Sequence, residues 1–188
     1  MTSARDQQPP LEQLAHDVVD ALRARGLTVA VAESLTGGLV MATLIEIPGV
    51  SDVLRGGAVT YATDTKASEL GVDDDLLQDR GPFDPDVAVA MARGVRRRWR
   101  SDVGIATTGV AGPEPQDGHP VGEVYLAVAD PAGDQVQQLG PVPDLAPDSG
   151  VGLQTVAGSA DSEQVRSRVR QEAVRATLEL VLTRLGSL

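Results

Sequence analysis

Lys66 stands apart in this chain. Of the 16 basic residues, 15 are arginine and Lys66 is the only lysine. A desolvated lysine can give up its proton and an arginine cannot. Lys66 is therefore a candidate base, although composition alone is equally consistent with an ordinary surface lysine. A base needs a group to activate. Ser34 lies just beyond an apolar run, Leu27–Ala32, and the glycines Gly37 and Gly38 follow it. Serine is a weak nucleophile until a base takes its proton, and a neutral lysine serves where histidine is absent. Tyr61 precedes Lys66 in Thr60-Tyr61-Ala62-Thr63-Asp64-Thr65-Lys66 and is placed to relay a proton. The bland alternatives are a helix cap at Ser34, an edge aromatic at Tyr61 and a solvated helix residue at Lys66.

Composition removes most competing chemistries. There is no cysteine, so thiol nucleophiles, disulfides and thiolate zinc sites are excluded. The only histidines are His16 and His119, too few for a histidine-rich metal site. Asp73-Asp74-Asp75 reads as an acidic first helical turn rather than a metal site. The net charge is −11 and aromatic residues make up 2%, which argues against a nucleic-acid or anionic-membrane surface. The run Arg96-Arg97-Arg98 with Arg100 fits the end of a helix, where positive charge complements the dipole. The N-terminus is polar and no apolar run is long enough to span a membrane, so the expected location is the cytoplasm.

The elements that must position these residues follow from periodicity. Leu11, Leu14, Ala15, Val18 and Leu22 recur at helical spacing, and Gly26 ends that helix. Leu27–Ala32 reads as a buried strand, and Leu39–Ile47 as a helix closed by Pro48-Gly49. A short strand is expected over Gly57–Tyr61 and a helix from Asp64 to Leu70. Another helix starts at Pro85 and carries Ala88, Met91, Ala92, Val95 and Trp99. Strands are expected over Val103–Thr108, Glu123–Ala129 and Val136–Leu139, and a last helix over Glu163–Leu185. Strands alternating with helices imply an α/β sandwich around one sheet, and the 123–139 hairpin makes that sheet mixed. Residues 1–10 read as a flexible tail and 11–188 as one domain. The Pro-, Gly-, Asp- and Ser-rich segment 141–162 reads as a mobile surface loop.

Several separated motifs, taken in order, resemble one known family. They are Ala32-Glu33-Ser34-Leu35-Thr36-Gly37-Gly38, Pro48-Gly49-Val50-Ser51, Gly56-Gly57-Ala58-Val59-Thr60-Tyr61, Lys66 with Leu70-Gly71-Val72, Thr107-Thr108-Gly109-Val110-Ala111-Gly112-Pro113, and Pro120-Val121-Gly122-Glu123-Val124-Tyr125. Together they resemble the CinA C-terminal domain, the competence/damage-inducible protein family, which includes nicotinamide-nucleotide amidases. The resemblance covers roughly residues 11–139 and 166–185. It implies a three-layer α/β/α sandwich with a mixed sheet. It further implies hydrolysis of the carboxamide of nicotinamide mononucleotide to the acid and ammonia. Ser34 would be the nucleophile, with Tyr61 and Lys66 as the activating pair. Backbone N–H groups of Thr36, Gly37 and Gly38 are expected to hold the oxyanion. Arg166 and the Thr108, Gly109 and Gly112 turn are expected to hold the substrate phosphate. No metal or organic cofactor is expected. The expected partners are a pyridine mononucleotide and a second copy of the chain. Two other functions stay open: a nucleotide-binding module without turnover, and a serine–lysine amidase for another small amide.

Overall fold

The computed structural model describes residues 9–139 and 160–187. In chain order the elements are α1 (Leu11–Arg25), β1 (Val29–Glu33), α2 (Leu39–Ile45), β2 (Leu54–Val59), α3 (Thr63–Leu70), α4 (Asp74–Arg80), α5 (Pro85–Trp99), β3 (Val103–Gly109), β4 (Val124–Asp130), β5 (Gly133–Leu139) and α6 (Ala160–Gly186). The five strands form one sheet in the order β2-β1-β3-β4-β5. β2, β1 and β3 run parallel, and β4 and β5 are antiparallel additions.

Alternation along the strands sorts the two faces of the sheet. Val29, Val31, Val103, Ile105, Leu126 and Val128 pack with the buried sides of α1, α2 and α6. Ala30, Ala32, Ala106, Ala127 and Ala129 point the other way, against α5 and its neighbours. Small side chains let α5 lie close to the sheet. A Cβ on Gly104 of β3 would stand 2.1 Å from the carbonyl oxygen of Ala92 on α5. The α/β/α layering and the mixed sheet match the expectation.

Local signals account for the element ends. At α1, Gly26 takes the left-handed conformation (φ 64°) and donates to the carbonyl of Arg23. At α5, Asp84 accepts from the N–H of Asp86 and Pro85 occupies the first turn. Asp73 caps α4 in the same way, through the N–H of Asp75. Several boundaries differ from expectation; the fifth strand, for one, begins at Gly133 rather than Val136. The second strand lies at Leu54–Val59, because β1 pairs with that stretch, across one register shift after Leu54, and stops before Tyr61. The last helix begins at Ala160 rather than near Glu163. The remainder of the loop expected over 141–162, and most of the expected N-terminal tail, fall outside the described residues.

The β4–β5 turn is tied to α6 by a buried ion pair. Asp130 accepts from Nε and Nη2 of Arg184 at 2.6 and 2.9 Å, and from the N–H groups of Ala132 and Gly133. Hydrogen bonding from Arg184 holds the Asp130 carboxyl below its usual range. A lowered carboxyl pKa stabilises the fold above the unfolded value near 3.9, and that contribution fades as pH falls through the folded value. Asp130→Asn should therefore lower unfolding free energy by about 3 kcal/mol at neutral pH. The deficit should shrink in acid. Denaturant melts of both proteins at pH 7 and below pH 4 check this; an equal gap at both would remove the pair from the account.

Candidate active site

The reacting groups gather where the strand order reverses. β1 is flanked by β2 on one side and β3 on the other, and such a switch point opens a crevice at the carboxyl ends of the strands. Ser34 follows β1 directly, and its N–H donates to the carbonyl of Thr107 at 3.0 Å. The turn after it needs glycine: Gly37 and Gly38 have φ of 60° and 96°.

Lys66 lies on α3 and is 1% exposed. Its Nζ is 3.2 Å from Ser34 Oγ and 2.8 Å from the carbonyl oxygen of Thr60. No carboxylate pairs with it among the described residues. Burial therefore acts unopposed and lowers its pKa from 10.5 to about 8. A lysine in this state has a lone pair within reach of the serine hydroxyl and a carbonyl to orient its remaining hydrogens.

Tyr61 stands elsewhere in the same cavity. It is 61% exposed, and its hydroxyl accepts from Arg166 Nη2 at 2.7 Å. Among the described residues it makes no hydrogen bond to Ser34 or Lys66. The relay position expected for it is not adopted, because Lys66 reaches the serine directly and the phenol is held at the mouth by α6. Arg166 also donates through Nη1 to the carbonyl of Gly112 at 2.7 Å, and so bridges two walls of the cavity.

The cavity holds about 80 Å³ of free space and is lined by Ser34, Tyr61, Gly109, Gly112, Glu114 and Arg166, among others. A larger groove of about 450 Å³ lies between α1, α2 and α6, lined by Leu11, Leu39 and Arg168 among others. None of the residues lining that groove is an activated nucleophile, so chemistry and not size locates the candidate site.

Two expected ligand contacts are corrected by this geometry. The N–H of Gly38 is taken by Glu33 Oε2 at 2.8 Å, and the N–H of Gly37 by the carbonyl of Ser34 at 3.1 Å, so neither is open to an oxyanion. The Thr36 side chain is buried and its hydroxyl meets that of Thr107 at 2.7 Å, while its backbone N–H, the expected donor, has no acceptor among the described residues. The Thr108 hydroxyl is bonded to the carbonyl of Pro82 at 2.6 Å and braces β3 against the loop before α5. Gly109, Gly112 and Arg166 do line the cavity.

Two residues escaped the sequence reading. Glu33, 1% exposed, caps α2 with its side chain. Arg170 of α6 donates to the carbonyls of Leu35 and Thr36 at 3.0 and 2.8 Å and clamps the serine turn from outside. Glu33 had a signal, a charge closing an apolar strand. Arg170 had one too, its spacing of one helical turn from Arg166.

Residues 11–141 match the model of the CinA C-terminal domain. The chain belongs to this family. A CinA-like protein of Frankia casuarinae is 42% identical over 171 residues, which is 91% of this chain and 35% of that protein. The chain thus spans about a third of the length of that curated relative. Among solved structures, the competence/damage inducible protein CihA of Agrobacterium tumefaciens superposes with a TM-score of 0.77 at 32% identity, covering 99% of both chains. A CinA superfamily protein of Escherichia coli gives 0.78 at 27% identity, covering 97% of this chain and 92% of its own. The mixed sheet and the flanking helices are the fold of this family. No helix among the described residues is long and apolar enough to cross a membrane.

Proposed function

We propose that this CinA-family chain is an amidohydrolase that converts the carboxamide of nicotinamide mononucleotide into the carboxylate and ammonia. The single observation that supports it is the 3.2 Å approach of an uncharged-prone lysine to Ser34 Oγ inside the fold. The substrate comes from the sequence resemblance described above.

In this reading neutral Lys66 takes the proton of Ser34 as Oγ adds to the carboxamide carbon. The oxyanion meets backbone N–H groups. Those of Gly37, Gly38 and Val110 are engaged, so the donors are the N–H groups of Leu35 and Thr36, next to the nucleophile, and those of Ala111 and Gly112. Losing one such donor typically costs about 3 kcal/mol. The C–N bond then breaks, and Lys66 returns its proton to the leaving nitrogen, which departs as ammonia. Water adds to the serine ester with Lys66 again accepting a proton. The C–O bond to Ser34 breaks and the acid is released. Tyr61 and Arg166 stand at the mouth and bind the polar remainder of the substrate. Arg166 exchanges its bonds to Tyr61 and Gly112 for the phosphate.

The small cavity favours one further reading, a serine–lysine amidase for a compact amide. About 80 Å³ encloses a carboxamide but not a nucleotide, for which sites of roughly 300 Å³ or more are usual. In the first reading the ribose and phosphate lie outside, past Arg166. Ammonia release by the purified protein from nicotinamide mononucleotide, free nicotinamide and a simple aliphatic amide decides between them. Preference for the nucleotide supports the first reading and preference for the small amide the second. No release from any of the three would sink both.

A further inference from the structure

We infer that Glu33 is the positioning residue for Ser34: its buried carboxylate locks the serine turn onto the first turn of α2 and fills that helix end against any ligand anion. The inference rests on the reading of Ser34 as nucleophile.

The lock has a fixed base. Glu33 is the last residue of β1, paired with Val59 on one side and Thr107 on the other. Its carbonyl accepts from the N–H of Thr60 at 2.8 Å. From this base the side chain reaches across the turn. Oε2 accepts from the N–H of Gly38 at 2.8 Å and of Val40 at 3.1 Å, and Oε1 from the N–H of Met41 at 2.9 Å. The residue before α2 is Gly38, which has no side chain to cap with, so the cap comes from five residues upstream.

A buried carboxylate without a cation is costly unless hydrogen bonds replace its water. Glu33 forms no ion pair among the described residues. Three N–H donors and the positive end of a short helix supply the compensation. The same bonds close a ring through Ser34. The chain leaves the sheet at Glu33, turns through Ser34–Gly38 and is bonded back to Glu33 from α2. Arg170 holds the carbonyls of Leu35 and Thr36 on the outer side. Within that ring the serine backbone has little freedom, and Oγ stays 3.2 Å from Lys66 Nζ.

The lock also selects which donors remain. Glu33 takes the N–H groups of Gly38, Val40 and Met41, and the carbonyl of Ser34 takes that of Gly37. Among the described residues no acceptor takes the N–H of Leu35 or Thr36. The open donors are thus the ones nearest the nucleophile. Glu33 does not line the cavity, so it acts through Ser34 and touches no substrate.

Two variants separate charge from reach. Glu33→Gln keeps the length but sets an amide NH2 against an N–H. Glu33→Asp keeps the charge but falls one methylene short. Both are to be compared with wild type by circular dichroism, by the rate at which a fluorophosphonate labels Ser34, by nicotinamide mononucleotide titration and by ammonia release. Both variants should fold. Labelling rate and kcat should each fall about a hundredfold, the loss typical of a nucleophile displaced by an ångström. KM and nucleotide affinity should stay within about threefold, because the cavity wall is unchanged. The pH at which the rate rises should not move, since Lys66 keeps its surroundings.

Wild-type labelling in either folded variant would overturn the inference. So would failure of both to fold, which would make Glu33 a folding requirement only. The labelling readout does not depend on the proposed substrate. If the wild-type protein releases no ammonia yet labels fast, and the variants label slowly, the positioning role stands and the amidase reading falls.

Discussion

Ser34→Ala should fold like the wild-type chain and lose turnover by roughly a thousandfold or more, as expected when a nucleophile that acts as part of a unit is removed. The fold is indifferent to this oxygen. Ser34 is buried, but among the described residues its side chain bonds only to Lys66, and Lys66 keeps the carbonyl of Thr60 when the hydroxyl is gone. The backbone of the turn is held by Thr107, Glu33 and Arg170, none of which touches the serine side chain. Nucleotide affinity should survive, because Arg166, Tyr61 and the 109–112 wall are untouched. Circular dichroism, ligand titration and single-turnover ammonia release measure the three quantities separately. Normal turnover in a well-folded Ser34→Ala would end the covalent mechanism and leave Lys66 to activate water.

Lys66→Arg, Lys66→Ala and Lys66→Met should all be nearly inactive while still binding nucleotide. The arginine variant is the informative one. A guanidinium stays protonated at any working pH and cannot accept the serine proton. If Lys66 acted only as a positive charge, arginine would retain much of the activity, and that result would refute the base role. The pH profile gives an independent measure. Burial lowers the Lys66 pKa from 10.5 to about 8. At pH 7 roughly a tenth of the protein then carries the neutral amine, and above pH 9 nearly all of it does. The rate should climb about tenfold per pH unit below that point and level off above it. The sign for stability is also determined. The folded state resists protonation of Lys66 and the unfolded chain does not, so burial of this residue disfavours folding at neutral pH. Stability from this group should rise between about pH 8 and 10.5, where only the unfolded chain still binds the proton. Lys66→Met, neutral throughout, should abolish that rise. Urea melts from pH 7 to 10 test it, and a flat difference between wild type and Lys66→Met would show that the amine is not desolvated.

The apolar run Leu27–Ala32 and the glycines Gly37 and Gly38 were enough to place a buried strand, a tight turn and a helix start around Ser34, because hydrophobic periodicity and positive φ are local demands. Residue types alone singled out Lys66, since they determine which protons can move. The ordered motifs were enough to assign the family. Partners were a different matter. Glu33 read only as part of a motif, and the glycine N–H groups after it read as open donors. The sheet registers Glu33 against Thr107 and α2 folds back over the turn, so a carboxylate close in sequence takes those donors first. Tyr61 read as a relay because it is near Lys66 along the chain. In space α6, more than a hundred residues away, brings Arg166 to its hydroxyl. Thr36 and Thr108 read as ligand contacts only through their backbone N–H groups. Where their hydroxyls go, to Thr107 and Pro82, was decided by strand pleat and packing. Most local conformations and the available chemistry of this protein are short-range properties and were legible along the chain. Which donor meets which acceptor was set by packing in three dimensions, because a hydrogen bond is settled within about 3 Å, and the side chains that compete for each one arrive from strands and helices far apart in the chain.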